Sequence, residues 1–336
     1  MRSRAIYGCA ATSLSPVEKS FFREVAPWGF ILFARNISDS EQVKALVQEL
    51  RATVGDEKAP VLIDQEGGRV ARLKPPHWQA RPPAARFGAL YETNPDAARE
   101  AVYLNARLIA HDLFSLGINV DCLPVLDVPV PGSHDVIGDR AFATDPATVI
   151  TLGKAQIEGL IDGGVLPVMK HIPGHGRAGA DSHLDLPRVS ASASVLSASD
   201  FVTFRSLDTC PIAMTAHVVY ESIDPQRPAT TSPKVIRDVI RGEIGFDGLL
   251  MSDDLSMKAL DGPLSVRAKQ SLFAGCDLVL HCNGDMNEMK EVASEVTDLK
   301  GQALKRSEQA LAHLSVPGAF DPAAAEARLA ALLGAA

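Results

Sequence analysis

The chain has 336 residues, 46% of them hydrophobic and 22% charged, which is the profile of a folded globular protein and excludes a disordered one. Forty-one acidic against 33 basic residues leave a net charge of −8, which argues against nucleic acid or an anionic membrane as the partner. At about 150 residues per domain the length suggests two domains, although one α/β barrel of about 250 residues or more would fill it as well. No apolar run approaches the roughly 18 residues of a membrane span, and Arg2 and Arg4 are not followed by the apolar stretch of a secretory signal. Cys9, Cys122, Cys210, Cys276 and Cys282 are scattered without C-x-x-C spacing, so neither a disulfide framework nor a zinc knuckle is indicated. The expectation is a cytoplasmic α/β protein.

In chain order, short and nearly continuous apolar runs predict strands at Arg4–Tyr7, Gly29–Phe33, Pro60–Asp64, Ile118–Asp121, Val165–Lys170, Ile212–Ala216, Leu249–Ser252 and Leu278–His281. Unbroken runs of this kind suit parallel strands buried on both faces. Between them lie amphipathic stretches with helix start signals. Ser38 and Glu41 suggest a capping box ahead of Val43, Leu46, Val47 and Leu50, which share one helical face. Asn94-Pro95, Asp145-Pro146 and Ser232-Pro233 each pair a cap residue with proline in the first turn. Gly117, Gly163-Gly164, Gly245 and Gly275 fall where helices should stop. Eight strand candidates separated by helices predict a single (β/α)8 barrel, with an open doubly wound sheet as the alternative and the first run open to a place outside the barrel. Lys74–Pro83 reads as a long βα loop, and Asp321-Pro322 opens a terminal helix packed on the outside. Residues 1–290 would form the barrel core and 291–336 closing helices.

In a parallel barrel the chemistry sits at the carboxyl ends of the strands, and the polar residues gather there. Asp64, Glu66, Arg69 and Arg72 follow the third run, Asp127 the fourth, Lys170, His171, His175, Asp181 and His183 the fifth, His217 the sixth, and Asp253-Asp254 the seventh. Taken singly, Asp64 or Asp127 could cap a helix, Arg69, Arg72 and Arg140 could be surface charges or partners for those carboxylates, and His217 a hydrogen-bonded core histidine. One of Asp253-Asp254 is expected to cap a helix beginning near Leu255. The Lys170–His183 stretch, with three His, a Lys and an Asp among glycines, is harder to reduce to packing. A zinc site of His171, His175, His183 and Asp181 is one reading, but the spacing matches no helix-borne zinc motif and Lys170 would set a positive charge beside the metal. The other is acid–base chemistry. Asp181 could orient the His183 imidazole and raise its pKa, with Asp253 as a carboxylate nucleophile across the site. A nucleophilic carboxylate opposite a proton donor is the logic of retaining glycoside hydrolysis.

Three stretches, Asp64-Gln65-Glu66-Gly67-Gly68-Arg69-Val70 with Arg72, Lys170-His171-Ile172-Pro173-Gly174-His175-Gly176 with Asp181-Ser182-His183, and Ser252-Asp253-Asp254-Leu255-Ser256-Met257, resemble the motifs of glycoside hydrolase family 3. Within it they are most similar to the bacterial β-N-acetylglucosaminidases of peptidoglycan recycling. Gly29–Asn36, Pro124–Val128, Gly138–Phe142 and Ala274–Asp277 add to the likeness, which runs in consistent order from about residue 5 to 290. The resemblance implies a TIM barrel that removes terminal β-linked N-acetylglucosamine, with Asp253 as nucleophile and His183, paired with Asp181, as acid/base. It places Asp64, Arg72, Arg140, Lys170 and His171 at sugar-binding positions and implies a saccharide substrate; no cofactor and no metal are expected, and a monomer is consistent with the absence of an evident coiled coil. A phosphorylase using the same site is the alternative, since a histidine would not repel phosphate; a metal-dependent hydrolase or a non-catalytic sugar-binding barrel stand further off. Ile172 stands where the family usually has Phe, and Arg177 where Asp or Ala is common, departures that bear on loop shape. Gly174, Gly176 and Gly179 are expected to let the loop swing. Many family members carry a second domain that supplies the acid/base; residues 291–336 are too few for one, so that group is expected from the barrel's own loops.

Overall fold

The computed structural model describes residues 2–179, 181–182 and 185–334. All eight predicted runs form strands, and with two short additions they number as β1 (Ser3–Gly8), β2 (Pro27–Leu32), β3 (Val61–Ile63), β4 (Val120–Asp121), β5 (Leu166–Ile172), β6 (Arg188–Val189), β7 (Ile212–Thr215), β8 (Val219–Tyr220), β9 (Leu249–Asp254) and β10 (Leu278–His281). Eight of them close a parallel barrel in the order β1-β10-β9-β7-β5-β4-β3-β2, so the open-sheet alternative is excluded and the first run belongs to the barrel. β6 and β8 pair separately, between loops at the carboxyl face.

The continuous apolar runs arise because both strand faces are buried. Ile6, Ile31, Leu62, Val120, Val168, Ile212, Met214, Met251 and Leu280 fill the barrel interior. Their immediate neighbours Tyr7, Phe30, Ile63, Ala213, Leu250 and Val279 point outward under the helices, as the period of two requires. The surrounding helices are α1 (Pro16–Val25), α2 (Ser40–Val54), α3 (Ala84–Thr93), α4 (Pro95–Ser115), α5 (Pro146–Asp162), α6 (Ala193–Arg205), α7 (Leu264–Ala274), α8 (Met286–Ala293), α9 (Gly301–Leu311) and α10 (Pro322–Gly334), with a wider coil at Val235–Glu243.

Asn94 caps α4 and Asp145 caps α5, each followed by proline as expected. The start of α2 differs from expectation: Asp39, not Ser38, is the cap, its carboxylate accepting the Gln42 amide, while the Gln42 side chain reaches back to the Ser38 backbone. The cap is thus shifted by one residue, to a carboxylate that takes a charge-assisted bond from the first turn. Ser232 caps the Val235–Glu243 segment through the Val235 amide, but beyond it the chain winds into i→i+5 bonding, as the Ile244 amide to the Val239 carbonyl shows. No helix begins at Leu255. Asp254 instead braces a turn, its carboxylate accepting the Ser256 amide and hydroxyl and the Cys282 amide.

α9 closes the amino-terminal mouth of the barrel: Leu299, Ala303 and Ala310 join the interior cluster, and the Trp28 indole donates to Ser307 Oγ at 2.7 Å. α10 packs outside against α4, where Arg81 pairs with Asp112 and Glu326 and Arg328 with Glu100. All five cysteines are free and buried. Among the described residues no helix is long and apolar enough to cross a membrane.

Candidate active site

A cavity of about 300 Å³ opens at the carboxyl ends of the barrel strands. Six of the eight site residues read from the sequence line it: Asp64, Arg72, Arg140, Lys170, His171 and Asp253. Asp181 lies on the loop after β5, and His183 falls outside the described residues. Glu66, His175, Ser182, Asp254 and Phe33 also line the cavity.

β5 runs two residues further than expected, so Lys170 and His171 are still strand residues at its end. Lys170 follows inward-facing Val168 at the strand period and enters the barrel mouth with only 2% of its side chain exposed. A bare ammonium there would be costly, and two carboxylates meet it: Asp64 Oδ1 at 2.8 Å and Glu66 Oε1 at 2.7 Å. Glu66 in turn holds Arg140 through two bonds of 2.8 Å, and Asp64 holds Arg72 at 3.2 Å. Each carboxyl shift follows from this network. Burial alone would raise Asp64 and Glu66, but Lys170 with Arg72 outweighs it at Asp64, and Lys170 with Arg140 brings Glu66 down to about 2. Burial likewise opposes the charge on Lys170, and Asp64 and Glu66 overcome it, holding its pKa above the usual lysine range. The site is therefore a preformed array of fixed charges. Arg72 also lies over the Phe33 ring at 5.2 Å, and its buried Nε has no hydrogen-bond partner among the described residues.

Behind this array, Asp127 organises the start of the β5 loop. Its Oδ2 is 2.7 Å from His171 Nδ1, which turns the other ring nitrogen free of that carboxylate, and its Oδ1 accepts the His171 and His175 amides. Asp127 is thus a loop organiser, not a helix cap. Arg69 pairs with Asp139 and binds the carbonyls of Asp135, Val136 and Ile137, so it is neither idle nor a partner for Asp64 or Asp127.

Asp253 stands at the end of β9, and a buried polar chain fixes that end. The Asp253 amide donates to Thr215 Oγ1, Thr215 bonds Thr230, Thr230 bonds His217 Nδ1, and His217 Nε2 meets the Asp254 carbonyl. Burial lowers the pKa of His217, so the ring is neutral near neutral pH. A carbonyl only accepts, which assigns the proton to Nε2 and makes Thr230 the donor to Nδ1. His217 is the hydrogen-bonded core histidine its sequence setting suggested.

The glycines of the β5 loop differ from expectation. A Cβ at Gly176 would collide with the Val128 carbonyl, and one at Gly174 would stand 3.0 Å from the Asp200 side chain. These two permit close packing of the loop stem, not swinging; Gly179 alone of the three meets no neighbour among the described residues. Arg177 adds to the anchoring, with Nε 2.6 Å from Asp200 Oδ2 and a bond to Ser199. For the metal reading, His171 is engaged with Asp127 and His175 with Ser182, and among the described residues no group of three His, Cys, Asp or Glu side chains is placed to hold a metal ion.

Glu66 was noted in the sequence among the polar residues after the third run but given no role; in the structure it holds both Lys170 and Arg140.

Residues 19–315 match the model of the glycosyl hydrolase family 3 N terminal domain. Among curated relatives, a beta-hexosaminidase of Alkalilimnicola ehrlichii is 42% identical over 282 residues, covering 82% of this chain and 79% of the relative. One of Aromatoleum aromaticum is 36% identical over 324 residues, covering 94% and 88%. Among solved structures, NagZ from Neisseria gonorrhoeae in complex with N-trifluoroacetyl-D-glucosamine superposes with a TM-score of 0.88 at 34% identity, over 99% of this chain and 98% of that one. Motifs, closed barrel and relatives agree, and the chain belongs to glycosyl hydrolase family 3.

Proposed function

We propose that the chain is a retaining exo-β-N-acetylglucosaminidase acting on fragments of peptidoglycan in the cytoplasm, as a monomeric single-domain enzyme. The observation that carries this reading is the placement of Asp253 in one cavity with the buried Asp64–Lys170–Glu66–Arg140 network. Beta-hexosaminidase relatives and the sugar-bound NagZ neighbour support the substrate class. In this reading Asp64, Arg72, Arg140, Lys170 and His171 grip the hydroxyl and acetamido groups of the terminal sugar by charge-assisted hydrogen bonds. Asp253 attacks the anomeric carbon as the glycosidic bond breaks, forming a glycosyl-aspartate. His183, oriented by Asp181, first gives a proton to the leaving oxygen and then takes one from the water that releases the sugar.

Asp253→Asn should abolish turnover of an aryl N-acetyl-β-glucosaminide while the fold survives; near wild-type rates would remove Asp253 from the mechanism. His183→Ala should lose far more on a disaccharide than on an activated aryl glycoside, whose leaving group needs little protonation. Running the same assay in phosphate buffer separates hydrolysis, which yields free N-acetylglucosamine, from phosphorolysis, which yields the sugar 1-phosphate.

A further inference from the structure

The mechanism leaves two buried polar residues of the cavity without a role, His175 and Ser182. Both line it, at 3% exposure each. Ser182 lies between Asp181 and His183, and two contacts from different parts of the chain hold it. Its Oγ is 3.3 Å from His175 Nε2, and its carbonyl accepts the Ala259 amide at 3.1 Å from the turn beyond β9. His175 is fixed in its turn, its amide donating to Asp127 Oδ1 at 2.6 Å and its ring lying edge-on to His171 with centroids 5.6 Å apart.

We infer that His175 and Ser182 form a positioning pair that sets the register of Asp181 against Asp253. This rests on the reading of Asp181 and His183 as the acid/base dyad. Consecutive Cα atoms are about 3.8 Å apart, so a serine held by both its side chain and its carbonyl restricts Asp181, which is bonded to it. The Ala259 contact ties that serine to the segment following Asp253, and the His175 contact ties it to Asp127, which also holds His171. One carboxylate therefore references the sugar-binding side and the acid/base side of the cavity to each other. Burial and the neighbouring His171 press the His175 pKa down to about 4, so near neutral pH its ring is uncharged and serves as a fixed hydrogen-bonding group instead of a competing acid.

The test uses the full chain and two substrates, a dinitrophenyl N-acetyl-β-glucosaminide and an N-acetylglucosamine-terminated disaccharide. Ser182→Ala and His175→Leu should lose about 10- to 100-fold in kcat on the disaccharide and about threefold or less on the aryl glycoside, with KM nearly unchanged. Ser182→Thr, which keeps the hydroxyl, and His175→Gln, which keeps a polar group near Nε2, should recover most of the disaccharide rate. If His175→Leu fails to fold, the Ser182 pair carries the test, because Ser182→Ala removes a single oxygen. Equal losses on both substrates for Ser182→Ala, with His183→Ala still selective, would overturn the positioning role and leave the acid/base reading standing. Equal losses for His183→Ala itself would overturn the acid/base reading and the pair's role with it.

Discussion

At the scale of single residues, the site is built from charges that tolerate burial only because each has a partner. Glu66 shows this most directly: it is 5% exposed on its side chain and holds both Lys170 and Arg140. Glu66→Ala removes one member of a buried pair, which typically costs about 3–5 kcal/mol, and it frees both cations from the geometry that the sugar would meet. We therefore expect a large loss of stability in urea denaturation together with a raised KM; a variant with unchanged midpoint and KM would show the network to be ornamental. Asp64, Lys170, His171 and Asp253 drew notice in the sequence because charged residues at the ends of buried strands need a reason to be there, whereas Arg72 and Arg140 read singly as surface charges and were named only through the family resemblance. The Glu66–Arg140 pair was not legible, since its partners lie 74 residues apart and only barrel closure brings them together. His175 adds a pH signature. Its pKa falls from 6.5 to about 4 on folding, so between those values the unfolded chain binds more protons than the native one. Stability is thus fully present above pH 6.5 and is lost as the pH falls toward 4; the Glu66 shift, from 4.5 to about 2, extends the loss below pH 4.5. Thermal melts of His175→Gln should be flatter than wild type between pH 6.5 and 4, and an unchanged slope would remove His175 as a source.

At the scale of elements, the stem of the β5 loop is packed around Gly174 and Gly176, whereas Gly179 meets no neighbour among the described residues. The stem is held by the Tyr220 hydroxyl on the Gly174 carbonyl, by Arg177 on Asp200 and by Gly176 against the Val128 carbonyl. Gly176→Ala should destabilise the protein and cut activity, because the backbone it meets cannot give way. Gly179→Ala, whose added methyl meets no neighbour among the described residues, should leave the melting temperature within a degree or two. Equal effects at both positions would contradict the division. From sequence these glycines were indistinguishable, since whether a missing Cβ means freedom or close approach depends on a neighbour from β4's loop. The strands were readable because burial on both faces writes unbroken apolar runs. Helix ends were readable where Pro followed the cap, and slipped by one residue at Asp39, where Ser38, Asp39 and Ser40 are all cap residues. The i→i+5 winding of Val235–Glu243 has no sequence signature of its own.

At the scale of the whole molecule, eight apolar runs implied eight strands, and parallel strands with intervening helices implied closure. The terminal helix α10 lies outside on α4, as the sequence after Asp321-Pro322 suggested. What the pattern could not convey is that α9 plugs the amino-terminal mouth, where Trp28 meets Ser307. With that end closed, the cavity at the carboxyl face is where the conserved logic of a barrel places chemistry, and its array of fixed charges awaits a small polar ring beside Asp253. The most direct test of the account is to incubate the protein with a fluorinated slow substrate that accumulates the intermediate, digest it, and map the label by mass spectrometry. The account predicts one N-acetylglucosaminyl adduct, on Asp253. A label on another residue, or steady turnover of the probe with no adduct at all, would contradict it.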